Sequence, residues 1–149
     1  MTDSTQRELA ALEQFIAVLQ REQEALISAD IQPLPSIAET KQQLAEQLNG
    51  LARERAATLA SAGFAADAVG GWLAGQPQAV RDTWQKLLEQ AQIAQRLNQT
   101  NGKLIQTHLQ YNQQALSTMM NAANAAGVYG PDGQPCSSAG TAPRSIGKV

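Results

Sequence analysis

The sequence predicts an all-α protein: an elongated antiparallel helical hairpin, one long C-terminal helix completing a coiled-coil-like bundle, and a flexible tail. Three observations predict it. Ala, Gln and Leu, all good helix formers, dominate the 149 residues, while aromatics reach only 4%. Apolar residues recur every three or four positions over long stretches, and no run alternates as a half-buried strand does. Pro and Gly, the residues that stop helices, collect in a few short segments and in the last part of the chain.

The first helix spans about 3–29. Leu9, Leu12, Ile16, Leu19, Gln23 and Leu26 form its seam, which a glutamine breaks once, and Phe15 widens the stripe. Arg7, Glu13, Arg21 and Glu24 make a solvated opposite face. Ile31-Gln-Pro-Leu-Pro35 ends this helix, because proline lacks an amide hydrogen and disfavours helix in the residue before it. Ser36-Ile-Ala-Glu39 reads as a capping box that opens a second helix over about 36–62. Its stripe is Ile37, Lys41, Leu44, Leu48, Leu51 and Leu59. The short connection makes the two helices an antiparallel hairpin.

Glycines at 63, 70, 71 and 75 loosen the next stretch, where Asp67–Ala74 has room for two helical turns. Pro77 suits the first turn of a third helix over about 77–126. Its seam is Val80, Trp84, Leu87, Ala91, Ala94, Asn98, Asn101, Ile105, His108, Asn112, Ala115 and Met119, with a second line of Leu97, Leu104, Leu109, Leu116 and Met120. At 1.5 Å per residue this helix is roughly 70 Å long against roughly 40 Å for each of the others. About 20 residues of it therefore exceed what a three-helix bundle covers. Residues 1–126 are read as a single helical domain and 127–149, rich in Gly, Pro and Ser, as a flexible tail.

Composition excludes several classes of function. The formal charge is −2, so no basic excess recruits nucleic acid. No apolar stretch approaches the ~20 residues that span a bilayer, so direct membrane insertion is not expected. The polar start of the chain carries no signal peptide, and the expected location is the cytoplasm. One His and one Cys cannot complete a structural metal site, and no cofactor motif is present. His108 lies in mid-helix without a local carboxylate to orient it, and reads as a packed seam histidine. Cys136, between Pro135 and Ser137, has nothing to lower its pKa. The carboxylates read as solvent-facing. No enzyme is expected.

Asn98, Asn101 and Asn112 support two readings. Seam asparagines fix register against neighbouring helices, or they dot a surface that receives an incoming helix. Gly102, beside them, costs about 1 kcal/mol relative to Ala within a helix.

Three segments resemble the flagellar export chaperones of the FlgN family: Leu97-Asn-Gln-Thr-Asn-Gly-Lys-Leu-Ile105, Asn112-Gln-Gln-Ala-Leu116 and Val128-Tyr-Gly-Pro-Asp-Gly-Gln134. The resemblance runs across most of the chain; it departs at Gly63–Gly75, at Val128 where Leu is expected, and after Gln134. It implies a cytoplasmic chaperone that binds hook-associated proteins of the hook–filament junction through their C-terminal helical segments and delivers them to the flagellar type III export apparatus. It also implies a client surface around Asn101, Gly102, Leu104, Ile105, Leu109, Asn112, Ala115, Leu116 and Met119. Tyr129 is implied to dock on the cytoplasmic domain of the export gate. No role passes to Cys136 or Arg144. A structural coiled-coil scaffold or adaptor protein without a flagellar client is the alternative, and the open apolar lines leave room for a weak homodimer that a client displaces.

Overall fold

The computed structural model describes residues 2–65 and 67–126. These residues form four helices and no strand: α1 (Thr2–Ile27), α2 (Leu34–Ser61), α3 (Val69–Ala74) and α4 (Gln78–Ala125). The chain divides into two compact units, Met1–Gln106 and Thr107–Val149. The expectations for 127–149, those for Tyr129 and Cys136 among them, lie outside the described residues.

The first unit holds α1, α2, α3 and α4 as far as Gln106. Its α1 and α2 are antiparallel, as their cross-helix ion pairs require: Arg7 meets Glu54, Glu8 meets Arg55 and Glu22 meets Lys41, so numbers rise on one helix as they fall on the other. Val18 and Ala25 of α1 pack on Ile37 and Leu44 of α2. On another side of α1, Leu12, Ile16 and Leu19 pack on Leu87 and Ala94 of α4, with Leu48, Trp84 and Leu97 at the margin. A separate cluster of Leu59, Trp72 and Val80 ties the end of α2 to α3 and the start of α4.

Both ends of the α1–α2 connection differ from the sequence expectation. α1 ends in a Schellman turn ahead of the prolines: Ala29 N–H donates to Leu26 O and Asp30 N–H to Ala25 O. Ala29 sits in this turn at φ 55°, where glycine is favoured. α2 begins at Leu34, after Pro33 at φ −80°, and no side chain caps it. The expected capping box at Ser36 is therefore incorrect. Ser36 lies inside the first turn, and its carbonyl accepts a 3.0 Å hydrogen bond from Thr40 Oγ1. Pro35 at the start of the helix lacks one of the donors a cap would serve, so the helix begins without one.

The end of α2 repeats the Schellman geometry with glycine in place. Gly63, at φ 81°, donates to Ala60 O, Phe64 N–H donates to Leu59 O, and the Phe64 ring packs on the Leu59 cluster. The two turns expected within Asp67–Ala74 are realised as α3.

Along α4 the fully buried positions are Val80, Leu87, Ala94 and Asn101, one per heptad. Leu97 and Leu104 are half-buried, whereas Ala91 and Asn98 are exposed. The seam read from sequence was too wide on one side. The helix turns the start of the second apolar line inward and leaves Ala91 and Asn98 in solvent.

The second unit, as far as it is described, is the rest of α4 from Thr107 to Ala125. Here nearly every residue is exposed, His108 and Ala123 being half-buried.

Candidate partner-binding surface

Two polar nodes inside the first unit set the register of its helices. In one, the Glu22 carboxylate (α1) accepts from Lys41 Nζ (α2) at 3.1 Å and from Asn101 Nδ2 (α4) at 2.8 Å. Asn101 Nδ2 also donates to Leu19 O at 2.8 Å. Glu22 is 6% exposed and Asn101 0%. In the other, Arg55 (α2) pairs with Glu8 (α1), while its guanidinium lies 5.0 Å from the centroid of the Trp84 ring (α4). Each node takes a carboxylate from α1, a cation from α2 and a third group from α4. The nodes lie two heptads apart on α1 and on α2, so both fall on the same face of each helix. The expectation that the carboxylates face solvent fails at Glu8 and Glu22, which are 7% and 6% exposed. Burial is tolerated because each meets a cation, and Glu22 an amide besides.

Of the two readings of the asparagines, Asn101 takes the internal one: its side chain is enclosed between α1 and α4 and presents nothing to a partner. Gly102 is exposed, with open space where a Cβ would stand, so no close approach requires glycine there. Leu104 is half-buried and Ile105 39% exposed, both within the first unit.

The remaining expected residues belong to the second unit. Leu109, Leu116 and Met119 are 57%, 59% and 69% exposed, and Asn112 and Ala115 are exposed with them. Tyr111 and Met120, at 73% and 58%, belong to the same exposed set and are missing from the expected one. Tyr111, Gln114, Ala115 and Thr118 line a shallow depression on this helix. The signal that finds the whole set is charge: from Leu104 to Ala126 the sequence contains no Asp, Glu, Lys or Arg. A solvent-facing helix ordinarily carries charged side chains, often in stabilising pairs one turn apart. Here large apolar side chains and neutral amides take their place, which is the composition of a surface that becomes covered.

Among the described residues no three His, Cys, Asp or Glu side chains gather as a metal site. No helix among them is long and apolar enough to cross a membrane.

A family model described as FlgN protein matches residues 1–136. The flagella synthesis protein FlgN of Yersinia enterocolitica is 31% identical over 129 residues, covering 85% of this chain and 83% of the relative. The protein of the same name from the serotype O:8 strain of that species matches to the same extent. No solved structure matches the chain.

Proposed function

The chain belongs to the FlgN family, and on that premise we propose that it is a cytoplasmic export chaperone for hook-associated proteins. It turns over no substrate. It holds the C-terminal helical segments of its clients until they pass to the flagellar type III export apparatus. The observation that carries this reading is the charge-free, apolar face of the second unit, where Leu109, Leu116, Met119 and Met120 each leave more than half of their surface in water. An amphipathic helix laid on such a face buries apolar area on both partners and strands no ion. Leu104 and Ile105 join the reading as residues of α4, whereas Asn101 enters it only as a positioning residue. Docking of Tyr129 on the cytoplasmic domain of the export gate is a further part of the proposal.

Calorimetric titration of the chain with the C-terminal helical segment of a cognate hook-associated protein tests the reading. Saturable binding with a negative heat-capacity change is expected, since apolar burial produces that sign. Leu109→Asp combined with Leu116→Asp should abolish the heat while far-UV circular dichroism stays helical. A folded double variant that binds as the wild type does would refute the surface. No binding at all would leave a coiled-coil scaffold.

A further inference from the structure

The exposed face of the second unit is close to a palindrome. Leu109 and Leu116 stand three residues outside Asn112 and Gln113, one on each side. All four are exposed, and the leucines are exposed to nearly the same degree, 57% and 59%. The steps from Leu109 to Asn112, Gln113 and Leu116 are three, one and three, which keeps the four on one side of a helix. We propose that this face pairs with the same face of a second copy of the chain, antiparallel, about a two-fold axis between Asn112 and Gln113.

The self-complementarity follows from position. About that axis Leu109 comes opposite Leu116 of the second copy, and Leu116 opposite its Leu109, so one spacing serves both contacts. Asn112 meets Gln113 of the second copy twice. Each amide carries both a donor and an acceptor, so neither is left unpaired when water is excluded. Polar groups at the centre of an apolar seam penalise slipped pairings, in which they would face leucine.

Charge favours the same occupant. A face that meets its own copy brings like groups together, and any net charge on it would repel. None is present between Leu104 and Ala126. Leucine contacts from a single helix per copy make a small interface, so the dimer is weak and concentration-dependent. It occupies the face assigned to clients but does not rest on that assignment, since it forms in the chain alone.

Sedimentation of the full chain over a wide concentration range tests this, with a reductant present so that Cys136 joins no chains. The average mass should rise with concentration. Leu109→Glu and Leu116→Lys should each weaken association by at least about tenfold. Mixing the two variants in equal amounts should restore it, because Glu at 109 of one copy then faces Lys at 116 of the other while the remaining leucines still meet. The double variant should likewise associate with itself. Glu and Lys are good helix formers, and circular dichroism checks that each variant keeps its helix.

A chain monomeric at every concentration overturns the proposal. So do single variants that associate like the wild type. Single variants that dissociate and fail to rescue each other overturn the antiparallel register. The client reading stands or falls separately in the calorimetric titration: a monomeric chain that binds the segment overturns only the dimer, and a dimer that ignores the segment overturns only the client surface.

Discussion

Asn101 shows how one residue is assigned by its surroundings. Its amide bridges the Leu19 carbonyl and the Glu22 carboxylate, and Lys41 neutralises Glu22 from the other side. Asn101→Ala removes two donors' worth of bonding from a closed site and should cost about 1–3 kcal/mol in urea unfolding. Asn101→Asp should cost more, about 3–5 kcal/mol at neutral pH, because it sets a second carboxylate against a buried one. The sign with pH follows from that repulsion. Aspartate at 101 would hold its proton more tightly folded than unfolded, so the excess penalty is present at neutral pH and shrinks as acid protonates it. An Asp variant as stable as the Ala variant at neutral pH would contradict the enclosed position of this amide. The sequence marked Asn101 as a polar interruption on an apolar seam, but its partner was not legible. Glu22 sits one residue before Gln23, the residue read on the seam. A turn of about 100° per residue decides which of the two faces inward.

The helix ends offer a paired comparison at the scale of elements. α1 and α2 both finish in Schellman turns, with Ala29 at φ 55° in one and Gly63 at φ 81° in the other. An L side chain in the left-handed region is strained by about 1 kcal/mol or more, while glycine is not. Ala29→Gly should therefore stabilise the chain by up to about 1 kcal/mol, the greater entropy of glycine in the unfolded chain offsetting part of the gain. Gly63→Ala should destabilise it by about 1 kcal/mol. Thermal unfolding of both variants checks the opposite signs, and a destabilising Ala29→Gly would mean that the α1 turn is held otherwise. That α1 stops before two prolines was readable from sequence. The true stopping point was not, because Ala29 carries no glycine signature, and the hydrogen bonds to Ala25 and Leu26 supply what the residue lacks. The supposed capping box shows the converse: Ser36 and Glu39 have the right spacing, but a proline-led start placed both inside the helix.

Stability is distributed unevenly over the whole molecule. Leu19, Leu59 and Leu87 are 0%, 1% and 5% exposed in the first unit, whereas residues 109–122 of the second are exposed throughout. Backbone amides open locally where few buried contacts hold them, so exchange should separate the units. In dilute solution, where no partner is bound, amides of 109–122 should exchange far faster than those around Leu19 and Leu87. Addition of a client segment should slow them. Equal protection in both units would mean that the second helix is covered in the free chain. The sequence by itself determined the helical class, the antiparallel hairpin, the reach of the last helix and its apolar lines, because periodicity and helix-breaking residues are local properties. Tertiary structure decided which side of each stripe turns inward, that Glu8 and Glu22 are buried with cations, and that Asn101 belongs to the interior while Leu109 and Leu116 remain in water. Those outcomes depend on which side chains of distant segments meet, and the energy of burying a charge or an amide is fixed only by the group that faces it.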